Sequence, residues 1–120
     1  ILLRRKGLRV VAEGAADRQG EIDLIAIDRR VRQRPELVFV EVKTLGTTKP
    51  GHPADRVDAE KQRRLTQAAL RYLHRHRLLE HRARFDVVAV WWPDSEVSWP
   101  ARIEHIEHAF EACGEGQFYC

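Results

Sequence analysis

The sequence has no methionine and only two cysteines, and none of its apolar runs is long. Cys113 and Cys120 lie close together near the C-terminal end, where a bridge would close only a short loop, so neither a disulfide scaffold nor an oxidising compartment is implied. No apolar stretch approaches the roughly 18 residues that cross a bilayer. Ile1-Leu2-Leu3-Arg4-Arg5-Lys6 also lacks the apolar core and small-residue cleavage site of a secretion signal. The expectation is a cytoplasmic protein with no membrane partner. Nothing like a helix start stands before Ile1, so further residues, including part of an opening helix, are expected to precede it. A strong excess of one charge is missing too: 21 Lys and Arg against 18 Asp and Glu leave +3, which permits a polyanionic partner without demanding one. There is no glycine-rich phosphate loop and no Ser/His/Asp arrangement, and His105, His108, Cys113 and Cys120 match none of the paired zinc-ligand spacings.

What is present suits one globular domain spanning residues 1–120. With 43% apolar and 32% charged side chains, a chain of this length buries enough surface for a single core. Leu8 to Ala12 reads as a first strand. Glu21-Ile22-Asp23-Leu24-Ile25-Ala26-Ile27 alternates acidic with apolar residues and then turns wholly apolar, the pattern of a strand whose start meets something polar. Asp28 to Glu36 is a polar loop, and Leu37-Val38-Phe39-Val40-Glu41-Val42-Lys43 is a strand covered on both faces, pairing with the previous one as a hairpin.

Thr44 to His52 carries turn residues. From Pro53 to about Glu80 apolar residues recur at helical spacing, with a possible break near Asp58. Arg84 to Trp92 is another strand, with Trp91 and Trp92 on opposite faces so that at least one belongs to the core. A weaker strand through Val97 or Ile103 and a short helix over His105–Ala112 complete the reading. The expected fold is a mixed α/β sandwich with the long helix as a crossover.

Side chains alternate along a strand, so Glu21 and Asp23 share one face of the first hairpin strand, and Glu41 and Lys43 share one face of the second. A carboxylate following Phe39 on a covered strand costs several kcal/mol of desolvation unless a cation or hydrogen bonds offset it. Two carboxylates at close range repel, and a divalent oxygen-seeking ion between them reverses that balance. Magnesium suits one or two carboxylates plus phosphate oxygens, and Lys43 beside it could orient a water or neutralise a phosphoryl group. Phosphodiester hydrolysis is the expected reaction, with a cross-strand ion pair at a solvated sheet end as the bland alternative.

The string Gly20-Glu21-Ile22-Asp23-Leu24-Ile25, a loop, then Val38-Phe39-Val40-Glu41-Val42-Lys43-Thr44 resembles the YraN family of bacterial proteins, within the restriction-endonuclease-like PD-(D/E)XK group. The resemblance continues through Gly51-His52-Pro53, Lys61-Gln62-Arg63-Arg64-Leu65, Arg84-Phe85-Asp86-Val87-Val88 and Ile103 to Phe110. It implies a restriction-endonuclease-like core, a mixed β-sheet flanked by helices. Asp23 would be the motif aspartate, Glu41 the second acidic ligand, Lys43 the motif lysine and the Val42 carbonyl a further ligand to Mg or Mn. The family commonly has arginine where Leu45 stands, one phosphate contact fewer here.

Around that core, Glu21, Lys61 and Gln62 are auxiliary candidates. Glu21 and Lys61 each have a plainer role available, solvent exposure and packing of the stem respectively. Lys49, Arg63, Arg64 and Arg71 are candidate contacts to the phosphates of DNA or RNA, or else a solvated face. Three classes follow: a metal-dependent nuclease, a silent nucleic-acid-binding or assembly module on the same scaffold, and a structural protein whose charges pair internally.

Overall fold

In a computed structural model that describes residues 7–16, 21–30, 33–45, 58–91 and 102–111, the apolar and alternating runs form five strands. They are β1 (Leu8–Ala16), β2 (Glu21–Asp28), β3 (Glu36–Leu45), β4 (Ala83–Trp91) and β5 (Arg102–Phe110), with a helix, α1 (Ala59–Arg75), between β3 and β4. The strands lie in sequence order across one sheet. β3 and β4 are parallel and every other neighbouring pair is antiparallel. Parallel neighbours need a crossover, and α1 supplies it. β2 and β3 form the expected hairpin, and the mixed sheet with its crossover helix is the arrangement of a restriction-endonuclease-like core.

Alternation sends the side chains of β3 to two separate cores. Phe39 joins Ile25, Phe85 and Val87 beneath Leu65, Ala68, Ala69 and Leu73 of α1. Val38 and Val40 join Leu8, Ala26 and Val88 on the opposite face. Phe85 stacks on Phe110 at 4.8 Å and meets Phe39 at 5.8 Å, so one aromatic row ties β3, β4 and β5 together on the helix side.

The helix starts where Asp58 caps it: Oδ1 accepts the Lys61 amide at 2.8 Å, which satisfies one of the donors a helix start leaves open. It ends at Arg75, short of the expected Glu80. The cause is local. Arg77 adopts φ 58, the His76 amide bonds back to Tyr72, and the Leu78 amide reaches the Leu73 carbonyl at 2.7 Å, which together make a left-handed helix stop.

The short helix expected over His105–Ala112 is not formed in the described residues, which continue β5 to Phe110. Phe85 pairs with Phe110 whereas Val87 pairs with Ile106, so β5 carries a bulge opposite Asp86. Ile106, Ala109 and Phe110 all pack on the helix-side core through that bulge, which reproduces helical spacing without a helix. His108, at φ 54, donates its amide to Asp86 Oδ1 at 2.9 Å and so anchors the distortion.

Candidate active site

Ladder pairing between β2 and β3 ends at Leu24↔Val40. Beyond it β3 continues on β4 alone, from Glu41↔Val87 to Leu45↔Trp91. The amides of β3 that would have faced β2 therefore need another acceptor, and Asp23 provides one: its Oδ2 accepts the Val42 N–H at 2.8 Å. A strand residue directs its N–H and C=O to the same side, so the Val42 carbonyl also faces this gap. Opening of the ladder is what brings a carboxylate and a main-chain carbonyl together.

Glu41 lies across from Asp23 on the helix side and is only 4% exposed. Burial raises its pKa, and the Asp23 carboxyl, within hydrogen-bonding reach, raises it further. Lys61 opposes both effects from the first turn of α1, its Nζ 2.6 Å from Glu41 Oε2. The same contact, and more weakly the field of Asp23, raises the pKa of Lys61, while nearby Arg64 acts the other way. Lys61 thus points to the site rather than serving only as packing. The helix start it extends from adds a partial positive charge of its own.

Lys43 is half-buried on the same face, one same-face step past Glu41. Among the described residues none forms an ion pair with it. Of the cations nearby, Lys61 contacts Glu41 directly, Lys43 shares its strand face, and Arg64 lies on α1 close enough for its charge to act on Lys61. The donors Asp23, Glu41 and the Val42 carbonyl are all hard oxygens, the chemistry that magnesium and manganese select, and the pair of close carboxylates favours a shared cation. The set fits such an ion. No cluster of three His, Cys, Asp or Glu side chains suited to a metal occurs among the described residues, so the carbonyl would be needed to complete the protein's share.

Other expected residues are placed less centrally. Gln62 is half-buried, and its main-chain carbonyl accepts from Thr66 Oγ1 at 2.8 Å. Arg63 turns outward to Glu60 at 2.9 Å. Arg71 is half-buried further along α1, away from its first turn. Glu21 opens β2, but its side chain lies outside the described residues, as does all of Lys49.

A second charged cluster, not anticipated as a unit, occupies the opposite sheet face. Asp86 is fully buried and accepts from Arg84 Nε at 2.9 Å and from the His108 amide. His105 Nε2 lies 2.7 Å from Asp86 Oδ2, and an ionised carboxylate only accepts, so Nε2 carries the proton. Burial pushes the Asp86 pKa up, but these bonds outweigh it and hold it below the ordinary carboxylate value. Arg84 also reaches Asp28 at 2.8 Å and Glu36 at 3.1 Å. The signal in the sequence was Arg84 and Asp86 at strand spacing within an otherwise apolar run. This network closes on itself and has a structural role.

Comparison with known proteins bears on the whole chain. The Uncharacterised protein family UPF0102 matches residues 1–90. A UPF0102 protein of Rhodopirellula baltica is 65% identical over 119 residues, covering 98% of this chain and 68% of the relative. One from Geobacter sulfurreducens is 41% identical over 111 residues, covering 91% of this chain and 79% of the relative. One from Chlorobium phaeobacteroides is 38% identical over 110 residues, covering 90% and 83% respectively. The chain therefore belongs to the UPF0102 family, the YraN family that its motif string resembles.

Proposed function

We propose that the protein hydrolyses phosphodiester bonds in DNA or RNA with a divalent ion, Mg or Mn, held by Asp23, Glu41 and the Val42 carbonyl. The observation that carries this reading is the Asp23 and Glu41 pair, two carboxylates side by side at the end of a strand ladder, one of them buried. An ion bound there would polarise the phosphoryl oxygen and make water a better nucleophile at neutral pH. Lys43, donor-only as an ammonium, would orient the attacking water or counter charge gathering on the phosphoryl group. Lys43 and Lys61 would balance the two carboxylates, so that a bound divalent ion leaves the gap positive and able to draw in the polyanion. As water attacks phosphorus it releases a proton to solvent, the bond to the leaving oxygen breaks, and that oxygen takes up a proton from solvent in its place.

The chain in its full length, incubated with Mg2+ or Mn2+ and labelled single-stranded, duplex, flap and branched substrates, should cut at least one of them. Asp23→Asn and Glu41→Gln should each abolish cutting, and Lys43→Ala should slow it more than it weakens ion binding. Equal activity in all three variants would overturn the assignment. A catalytically silent nucleic-acid-binding or assembly module is the second reading. The observation favouring it is the Lys61 ammonium, which already neutralises Glu41 without any ion. Nucleic-acid binding with no cleavage under either ion would select it.

A further inference from the structure

On the reading that the substrate is nucleic acid, we propose that Trp91 and Arg102 form a stacking subsite for an unpaired nucleobase on the sheet face of the carboxylate pair, beyond Lys43. Their position follows from the sheet. Trp91 is the last residue of β4, opposite Leu45 of β3 and, on the other side, Arg102 of β5. Phe85 and Val87 of β4 pack on the helix-side core, so strand alternation places Trp91 on that same face. Glu41 and Lys43 share it. Lys43 pairs with Ala89, one same-face step of about 7 Å before Trp91. A chain whose phosphate lies between the carboxylates and Lys43 therefore passes Trp91 within one or two nucleotides.

The chemistry of the pair points to a base. The Arg102 guanidinium carbon stands 4.7 Å from the centroid of the Trp91 ring, a cation-π contact. Indoles and guanidinium planes are the surfaces on which unstacked bases settle, and the arginine adds a charge for the adjoining phosphate. Trp91 is half-buried at the end of a strand that is buried along most of its length. The Arg102 side chain is 65% exposed, and among the described residues its ion pair is a 3.5 Å contact to Glu104, so beyond the Trp91 ring it presents a flat charged surface to a second flat group. Bases inside a duplex already stack on their neighbours, so a wall of this kind selects a base that has left the stack.

Binding can be read without cleavage, in EDTA, from the fluorescence anisotropy of an end-labelled oligonucleotide with the full chain. Wild-type protein should prefer a single strand to the blunt duplex of the same sequence. Trp91→Ala should weaken single-strand binding about 10-fold and duplex binding much less, with Trp91→Phe largely restoring it. An oligonucleotide with one abasic position should lose a similar factor on wild-type protein and nothing further on Trp91→Ala. Should Trp91→Ala fail to fold, Arg102→Gln and the abasic series on wild-type protein carry the test. Folded variants that bind the single strand as wild type does would overturn the subsite and leave nucleic-acid recognition standing. Wild-type protein that binds neither substrate would overturn both.

Discussion

Replacing Lys61 with methionine should tighten divalent-ion binding, although it removes a side chain of the site. The ammonium sits 2.6 Å from Glu41 Oε2, on an oxygen an incoming ion would need. Unit charges at about 4 Å interact by about 4 kcal/mol near a protein surface and about 1 kcal/mol in water. Lys61 is 36% exposed, and solvent screening brings its hold on Glu41 towards the lower figure, about 1–2 kcal/mol. Methionine keeps the length of the stem and removes that competitor, so the dissociation constant for Mn2+ should fall about 5- to 30-fold. Without the ion the effect reverses. Glu41 loses its counter-charge beside Asp23, its pKa rises further, and the variant should lose about 1–2 kcal/mol of stability in urea. Lys61→Arg retains the charge and should stay near wild type in both measurements. Isothermal titration of the three proteins with Mn2+ decides the matter, and unchanged or weaker binding by a folded Lys61→Met would refute the reasoning.

Other outcomes follow from the rest of the sheet. Asp86→Ala strips the His108 amide of its buried acceptor and Arg84 of one of its carboxylates, and should cost about 3–5 kcal/mol in urea unfolding; a loss below about 1 kcal/mol would show that the network is dispensable. The pKa values of Asp28 and Asp86 are held below the ordinary 3.8, so the stability they contribute is complete above that value and lost as pH falls through their depressed ones. Urea midpoints between pH 7 and pH 2 should therefore drop steeply at the acid end, and a flat profile would contradict the assignment. Arg77→Gly relieves a left-handed backbone at the end of α1 and should raise stability by about 0.5–1 kcal/mol, seen as a higher Tm; a lower Tm would mean that the arginine side chain stabilises the turn.

How far the site could be read from the sequence depended on whether a residue's position was set by one strand or by several elements. Glu41 and Lys43 were legible because β3 is apolar on both faces, so a charge within it has to be explained. Asp23 followed from alternation on the paired strand. Lys61 was ambiguous, since helical spacing puts it on the apolar stripe and only the packing of α1 on the sheet turns its stem towards Glu41. Arg63 and Arg64 are adjacent in sequence, yet Arg63 pairs with Glu60 while Arg64 lies near enough to Lys61 for its charge to act there. The end of α1 was misread because an arginine, not a glycine, takes the left-handed position after it. β5 was misread because its bulge answers to Asp86, a residue of the neighbouring strand that no local pattern in β5 reveals. Trp91 could be assigned to a face only once the register with Leu45 and Arg102 was known.

The most direct test asks whether Asp23 and Glu41 grip one cation together. Electron paramagnetic resonance of Mn2+ titrated into the wild-type chain and into folded Asp23→Asn, Glu41→Gln and double variants measures it without a nucleic-acid substrate. One bound ion per wild-type chain, weakened in either single variant and lost in the double, is the expected result. A bound ion that survives the double substitution, or a wild-type chain that binds none, would contradict it.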